Sequence, residues 1–373
     1  MAATIRDVAR QAGVSTATVS RVLAGKSGVR PGTVARVTDA VEALDYRPSG
    51  VARSLKRRTT RTLGLVVTDI LNPFYPEVVR AVEAAARMRG YSVILCNGDE
   101  DPEREARSLE LLLERRVDGI IIASSRLTSR HVRWLERAPI PVVAVNSVPS
   151  VAGIPAILSD NVAGGRIAAS HLAGLGHEAI GYITAPETNA AVSERLEGAR
   201  RGLAAAGVEA RRMPVVVGDG HVAGGERAAH ELFGSHADLS ALLCHNDLTA
   251  IGAIRAVRAR GRRVPGDVSV VGFDDIDLAA YVEPALTTVV QEKAEMGRWA
   301  VETLAAHLAG QDGGSDDPVV RLPVSLRVRA STAPPGPRSL RDRRADAGRS
   351  VSRPEHAGSA SGPGDGPTQR RTG

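Results

Sequence analysis

The chain has 373 residues, 43% of them hydrophobic, so it is long enough for two or three domains with cores of their own. Its formal net charge of +6 is unevenly spread: basic residues outnumber acidic ones by 12 to 4 over residues 1–61 and by 8 to 4 over residues 333–373, whereas acidic residues predominate by 34 to 28 in between. Cys96 and Cys244 stand alone inside apolar runs, which excludes a disulfide framework and a paired-cysteine metal site.

Targeting and membrane signals are missing from the sequence. The start, MAATIRDVAR, has no basic segment followed by an apolar one, and no apolar run approaches the ~18 residues that span a bilayer. We therefore expect a soluble cytoplasmic protein without a membrane partner. The sequence also lacks a phosphate-binding loop, a nucleophile elbow and an HExxH motif, so we expect no catalytic residues, no metal and no cofactor.

Three short helices are predicted within residues 1–46. Thr4 can begin the first helix, Ser15 can cap the second, and Pro31 can open the third, while Gly13 allows a sharp turn between the first two. The expected core is made by Val8, Ala9, Ala12, Val14, Thr18 (methyl), Val19, Val22, Leu23, Val34, Val37, Val41 and Leu44. This order predicts a helix-turn-helix unit, whose second helix enters the major groove of double-stranded DNA.

The outward face of the second helix carries the residues expected to read bases. If Val19 and Val22 face inward, then Thr16, Ala17 and Arg21 face outward. An arginine fork pairs with guanine and discriminates by about 1–3 kcal/mol, so Arg21 is expected to be the strongest reader. The predicted DNA contacts in this unit are Thr4, Ser15, Thr16, Ala17, Thr18, Ser20 and Arg21.

Residues 47–61, RPSGVARSLKRRTTR, have the composition of a flexible linker. Yet Val51, Ala52 and Leu55 share one face at helical spacing, so a short helix could form if DNA stabilised it. Two such helices side by side would fit a widened minor groove, with Leu55 wedged between base pairs and the cations on phosphates. The predicted contacts here are Ala52, Leu55, Lys56 and Arg57.

From residue 62 the pattern alternates between short apolar strands and amphipathic helices, and near residues 158–165 the series begins again. The predicted helices cover residues 73–89, 102–115, 189–206, 222–233 and 247–260. Continuous apolar strands alternating with helices are typical of parallel sheets covered on both faces. We therefore predict an α/β fold with two similar doubly wound lobes, and a ligand cleft where the carboxyl ends of the strands face each other.

Polar residues that end the predicted strands are candidates for that cleft: Asp69, Asn72, Asp160, Asn246, Asp247, Asp274 and Asp275. Each could instead be an ordinary helix cap, but their recurrence in both lobes favours ligand contacts. Arg195 would add a bidentate donor, unless it forms a surface pair with Glu194 or Glu197.

Three stretches, TIRDVARQAGVSTATVSRVL, ALDYRPSGVARSL and TLGLVVTDILNPFYPEVVRAVE, resemble the lactose-repressor (LacI/GalR) family of bacterial transcription regulators, and the similarity runs from Thr4 to Thr332. The resemblance implies a helix-turn-helix domain, a hinge helix over residues 48–56 with Leu55 as the wedge, and a two-lobed effector domain like a periplasmic binding protein. It further implies that Thr16, Ala17 and Arg21 read an operator half-site.

The same resemblance implies the effector site. Arg195, which opens an R-x-x-G element, and Asp274 would hold the effector, with Asn246 or Asp247 and Asp160 nearby and with Phe74 and Tyr75 at an aromatic edge. Two departures stand out. Ser49 and Gly50 replace the usual Asn of the hinge, and Gly220 stands where relatives have an aromatic residue that often stacks on the ligand. His221 could compensate, or it could simply lie near a helix start.

These observations predict a repressor in which a homodimer binds a pseudo-palindromic operator and a small molecule between the lobes, expected to be a carbohydrate or related metabolite, sets the affinity for DNA. A two-lobed solute-binding protein and a cleft enzyme remain alternatives. The expected domains are residues 1–46 (helix-turn-helix), 47–61 (hinge), 62–332 (effector domain, with a first lobe of about 62–159 plus 290–320 and a second of about 160–288 plus 321–332) and a disordered tail, 333–373.

Overall fold

The computed structural model describes most of the chain as far as residue 336. The described residues are 3–25, 27–46, 59–123, 129–135, 137–147, 153–186, 190–311 and 319–336. The predicted hinge contacts Ala52, Leu55, Lys56 and Arg57, and residues 337–373 of the predicted tail, lie outside these ranges.

The N-terminal unit consists of helices α1 (Ile5–Ala12), α2 (Thr16–Leu23) and α3 (Pro31–Ala43). Thr4 and Asp7 form a capping box at the start of α1, and Gly13 ends that helix with a φ of 64°, which suits glycine. Ser15 caps α2 because its Oγ accepts the N–H of Thr18 at 3.2 Å. Local sequence signals therefore decide both ends of the turn.

The core of this unit follows the predicted face with one exception. Its buried residues are Val8, Ala9, Ala12, Val19, Val37 and Ala40, with Val14, Val22, Leu23, Val41 and Leu44 packed against them. Val34, predicted to lie in the core, is 38% exposed. Val34 lies in the first turn of α3 and is not among the core residues, whereas Ala40, further along the helix, is buried in the core.

The first lobe is built on a sheet whose six strands are all parallel, in the order β11-β5-β4-β3-β1-β2. The strands are β1 (Thr62–Val67), β2 (Ser92–Asn97), β3 (Gly119–Ala123), β4 (Val142–Val145), β5 (Ala156–Ser159) and β11 (Val319–Leu322). The helices are α4 (Phe74–Met88), α5 (Pro102–Glu114), α6 (Ser129–Leu135) and α12 (Lys293–Leu308). Leu65 and Val67 face α4 and α12, whereas Val66 faces α5, so β1 is apolar on both sides.

The second lobe repeats this architecture with strand order β12-β10-β9-β8-β6-β7, in which only the pairing of β12 with β10 is antiparallel. The strands are β6 (Ile180–Thr184), β7 (Val215–Val217), β8 (Ala241–Cys244), β9 (Ser269–Asp274), β10 (Thr287–Val290) and β12 (Ser325–Arg327). The helices are α7 (Asn161–Gly174), α8 (Ala190–Ala205), α9 (Val222–Ser235), α10 (Asp247–Ala259) and α11 (Leu278–Tyr281).

The chain passes between the lobes three times: after β5, after β10 and after β11. The last passage differs from the predicted boundary at residue 321, because β11 pairs with β5 of the first lobe as far as Leu322. The structure also differs from the prediction that a disordered tail begins at residue 333. Ala333 exchanges hydrogen bonds with Ser269 Oγ at 3.0 and 3.1 Å, so this part of the chain packs on the second lobe.

Among the helices that the structure describes, none combines the length and the apolar character needed to cross a bilayer.

Candidate functional site

The exposed face of α2 is the candidate DNA-reading surface. Thr16, Ala17 and Arg21 are exposed there, while Val19 on the opposite face is fully buried. Ser20 is half-buried. A face that displays one arginine beside two small residues can approach base edges closely.

Three other predicted contacts in this unit also hold the helix ends. Thr4 Oγ1 donates to Asp7 Oδ2 at 2.6 Å, and the Ser15 and Thr18 hydroxyls lie 3.0 Å apart. These hydroxyls position α1 and α2, and phosphate contacts from the same residues would be additional to that role.

A cavity lies between the lobes, at the carboxyl ends of the strands in both sheets. Six of the predicted effector contacts line it: Asn72, Phe74, Tyr75, Arg195, Asn246 and Asp274. Its other lining residues are Thr68, Asp69, Glu100, Asn146, Ala185, Pro186, Ala191, Val192, Asp219, Gly220, His221 and His245. The lining is mostly polar, which distinguishes this cavity from the predominantly apolar pockets that bind most drug-sized ligands.

Asp160 and Asp247 were also predicted to contact the effector, but neither is among these lining residues. Asp160 Oδ1 accepts the N–H of Ala163 at 2.9 Å and so caps α7. Asp247 is fully buried and accepts hydrogen bonds from Thr288 Oγ1 at 2.5 Å and from the Ile276 N–H at 2.9 Å. Burial, and next the charge of Asp274, raise the pKa of Asp247 well above its ordinary value. Both aspartates hold the second lobe together.

Arg195 is the most completely held side chain of the cavity. Its Nε donates to Asn161 Oδ1 at 2.9 Å, and its Nη1 donates to the His245 carbonyl at 2.8 Å and lies 3.5 Å from Asp274 Oδ1. The guanidinium carbon stacks 3.7 Å from the centre of the Phe273 ring. This network fixes the guanidinium plane at the cavity wall, so the predicted alternative of a surface pair does not apply.

The glycine of the R-x-x-G element explains how α8 brings Arg195 to this place. A Cβ at Gly198 would overlap the carbonyl oxygen of Val162, and one at Gly165 would overlap the carbonyl oxygen of Arg195. Glycine at both positions therefore lets the backbones of α7 and α8 touch. This close approach puts Asn161, at the start of α7, within hydrogen-bonding reach of Arg195.

Asp274 ends β9 with a φ of 118°, a backbone conformation that residues other than glycine rarely adopt. Gln291 Nε2 donates to Asp274 Oδ1 at 2.6 Å, and Lys293 Nζ donates to the Asp274 carbonyl at 2.6 Å. Burial raises the pKa of Asp274, although Arg195 and Lys293 oppose the effect. The surrounding donors thus hold the Asp274 carboxylate in the cavity lining, on a residue whose backbone is strained.

Two buried polar atoms of the cavity have no hydrogen-bond partner among the residues described: Asn146 Oδ1, after β4, and His245 Nδ1, after β8. Burial, and then the Arg195 charge, lower the pKa of His245 well below its ordinary value, so the ring is neutral near pH 7. Buried polar atoms are normally hydrogen-bonded, so these two offer hydrogen-bonding capacity that no described protein group uses.

The aromatic wall belongs to the first lobe alone. Phe74 and Tyr75 pack edge to face, with ring centres 5.3 Å apart and planes at 88°. On the opposite side, Gly220 has a φ of 84° and its carbonyl oxygen accepts from Asn246 Nδ2 at 2.9 Å. The first lobe therefore contributes aromatic rings to the cavity lining, whereas Gly220 of the second lobe contributes only main chain.

Sequence reasoning missed several lining residues. Asn146 and His245 follow strands just as the predicted residues do, so the same strand-end rule could have found them. Asp219 follows β7 in the same way. Glu100 also follows a strand, three residues after the end of β2, in a turn where its φ is 55°.

Two family models match the chain. The model for periplasmic binding proteins and the sugar binding domain of the LacI family matches residues 60–324, and the model for bacterial regulatory proteins of the lacI family matches residues 4–49. The chain belongs to the LacI family. Membership confirms the predicted fold class, with a helix-turn-helix head followed by two parallel-sheet lobes.

Individual relatives and solved structures support the same family assignment. The HTH-type transcriptional repressor PurR of Aliivibrio salmonicida is 38% identical over 303 residues, which cover 81% of this chain and 91% of PurR. A Lac repressor dimer bound to operator and an anti-inducer superimposes with a TM-score of 0.79 at 28% identity, covering 89% of this chain and 100% of that one. A complex of the regulator CelR with cellobiose superimposes with a TM-score of 0.66 at 34% identity, covering 88% of this chain and 99% of that one. The prediction of a DNA-binding transcriptional repressor is confirmed, and neither the enzyme nor the solute-binding alternative is favoured.

Proposed function

We propose that this LacI-family repressor binds a sugar or sugar-like polyol between its lobes and that this ligand sets its affinity for a pseudo-palindromic operator. The observation that carries the proposal is the pair of buried, unpartnered atoms Asn146 Oδ1 and His245 Nδ1, which belong to residues that line one cavity from opposite lobes. A hydroxyl group both donates and accepts, so one polyol can satisfy both atoms. Each satisfied atom would remove a desolvation cost of about 1–3 kcal/mol.

The one-sided aromatic wall favours a sugar over a flat purine. Phe74 and Tyr75 can cover one face of a pyranose or furanose ring, whereas Gly220 offers no second stacking surface. The other face meets the hydrogen-bonding groups of Arg195 and Asp274, which suit hydroxyls. The ribose and cellobiose found with related regulators are ligands of the same chemical class.

Effector binding would act on DNA through the relative position of the lobes. A ligand held by both lobes stabilises one arrangement, and the three chain passages between the lobes let the second lobe turn against the first. Residues 47–61 attach the head directly to β1 of the first lobe, so a turn in a homodimer changes the spacing of the two hinges. We propose that the predicted hinge residues contact the minor groove in one arrangement of the lobes and lose this contact in the other. These residues are Ala52, Leu55, Lys56 and Arg57. The protein would act in the cytoplasm, on the nucleoid when bound.

The test begins by selecting operator sequences from random DNA with the full-length dimer. A thermal-shift screen of sugars, polyols and nucleobases follows, because a specific ligand raises the melting temperature. Each hit is then titrated into the protein–operator complex. We expect a palindromic consensus, and a sugar that changes operator affinity by about 5- to 150-fold and whose own affinity changes by the same factor on operator. Equal binding of selected and scrambled DNA, or hits confined to nucleobases, would contradict the proposal.

A further inference from the structure

Three side chains from both lobes converge at one edge of the cavity: Asp69 after β1, Glu100 after β2 and His221 before α9. One carboxylate oxygen from each acid and one ring nitrogen of the histidine lie within 4.8 Å of one another. His221 Nε2 is 3.4 Å from Glu100 Oε1 across the cleft. We name Asp69, Glu100 and His221 the interlobe triad.

Each triad residue is held by neighbours outside the triad, Asp69 through its carboxylate and the other two through their main-chain N–H groups. The Leu71 N–H donates to Asp69 Oδ1 at 2.9 Å, and Asp69 is 5% exposed. The Glu100 N–H donates to the Thr68 carbonyl at 3.0 Å. The His221 N–H donates to Asp219 Oδ1 at 2.9 Å, and this aspartate is in turn held by Arg227 at 2.7 Å. The convergence is therefore built into the turns that end β1, β2 and β7.

The donor set is the one that first-row transition metals accept. One imidazole nitrogen and two carboxylate oxygens suit Mn²⁺, Co²⁺ and Zn²⁺, with bond lengths of about 2.0–2.2 Å. Two ligands at that distance from a tetrahedral ion are about 3.4 Å apart, which matches the separation of Glu100 and His221. All three ligand atoms lie within 4.8 Å of one another, so an ion that bound all three would draw the group closer together than it stands in this structure.

The local charge also favours a cation. Asp69 and Glu100 bring two carboxylates to one place, and the nearby guanidinium of Arg195 is already occupied by Asn161, the His245 carbonyl and Asp274. A divalent ion would neutralise this cluster and relieve the repulsion between the two acids. Asn146 Oδ1 and His245 Nδ1, in the wall of the same cavity, independently indicate that the cleft takes up a ligand.

We propose that the interlobe triad binds one divalent transition-metal ion per chain. Asp69 and Glu100 belong to the first lobe and His221 to the second, so the ion would link the lobes and favour their closed arrangement. Three protein ligands leave coordination positions open, which hydroxyls of a bound polyol can fill. This last step rests on the proposed function, whereas ion binding itself does not.

The experiment uses untagged full-length protein freed of metal with EDTA and dialysed. Co²⁺ is titrated while its visible absorption is recorded, and calorimetric titrations with Mn²⁺ and Zn²⁺ give stoichiometry and affinity. The variants are His221→Gln and Glu100→Gln, with His236→Gln, an exposed histidine of the same lobe, as the matched control. Loss of a direct ligand should weaken binding by more than the roughly 10- to 100-fold that loss of an outer partner costs.

We expect one ion per chain in the wild type and in His236→Gln, and a lost Co²⁺ spectrum in the other two variants. Absence of one-to-one binding, or equal affinity in wild type and His221→Gln, would overturn the proposal. Repeating the sugar screen in EDTA separates the two hypotheses. Sugar hits without metal binding reject only the metal site, and metal binding without any sugar hit rejects only the sugar effector.

Discussion

Lys293 donates from its Nζ to the main-chain carbonyl of Asp274, at 2.6 Å, and so ties the first helix turn of α12 in one lobe to the end of β9 in the other. The same ammonium donates to the Asp275 carbonyl at 2.8 Å and lies 3.3 Å from Glu77 Oε1 on α4. Burial raises the pKa of Glu77, and Lys293 opposes the shift. One buried cation thus joins α4, α12 and the strained turn at Asp274, next to a passage between the lobes.

Replacing Lys293 should destabilise the protein because Lys293→Gln cannot satisfy two carbonyls and a carboxylate at once. We expect a loss of about 1–3 kcal/mol in the free energy of unfolding, the cost of leaving buried polar groups without partners. Urea unfolding measures it. The control is Arg87→Gln, which removes an exposed ion pair with Glu83 and should change stability by less than about 1 kcal/mol. Equal losses in both variants would show that the buried contacts of Lys293 contribute no more to stability than an exposed ion pair.

Arg195→Lys should weaken effector binding while the fold persists. A lysine keeps the charge but cannot donate to Asn161 and the His245 carbonyl while stacking on Phe273. We expect a loss of about 2 kcal/mol or more in effector binding, measured by calorimetry well below the melting temperature. Arg201→Lys, on the same helix and in an exposed pair with Glu197, is the control. If both variants bind the effector like wild type, Arg195 is only structural.

The pH dependence of stability should change when Asp247 becomes asparagine. The pKa of Asp247 is raised in the folded state, so the wild type loses stability as pH rises above the unfolded value of about 3.9 through the raised folded value. Asparagine stays neutral, and its amide can still donate to Thr288 and accept from the Ile276 N–H. The free energy of unfolding of Asp247→Asn minus that of wild type should therefore grow more positive with rising pH.

Asp267 provides a control of opposite sign. Hydrogen bonds from the Arg263 side chain and main chain lower the pKa of Asp267, so this carboxylate stabilises the fold above the unfolded value of about 3.9 and loses the effect as pH falls. For Asp267→Asn the same difference from wild type should grow more negative with rising pH. Urea unfolding between about pH 2.5 and pH 8 checks both variants, because the Asp267 difference changes only near and below the unfolded value and the Asp247 difference only above it. Slopes of the same sign in these two windows would refute the argument.

Two arginines should affect DNA binding in different ways. Arg21→Ala, on the exposed face of α2, should relax base preference at one half-site position, since a guanine contact is worth about 1–3 kcal/mol. Arg57→Ala, in the predicted hinge, should weaken all sequences alike and reduce the salt slope of binding by about 1. Selection from random DNA and salt titrations measure the two effects. A broadened consensus in Arg57→Ala with none in Arg21→Ala would reverse the assigned roles.

Local sequence signals are enough to predict the helices and strands and their order. Helix caps at Thr4 and Ser15, the glycine turn at Gly13 and the alternation of apolar strands with helices act over a few residues, so they can be recognised without the fold. The strand-end rule also predicted two residues of the cavity lining, Asp274 and Asn246. It succeeds there because parallel strands bring their carboxyl ends to one edge of the sheet.

Which of those strand-end residues line the cavity depends on the packing of the two lobes. Asp160 and Asp274 carry the same signal, an aspartate after an apolar strand, yet one caps α7 and the other lines the cleft. Glu100 and His221 meet although they lie on different lobes and far apart in the chain. Their meeting depends on how two separately folded sheets approach each other, and no pattern of neighbouring residues records that distance.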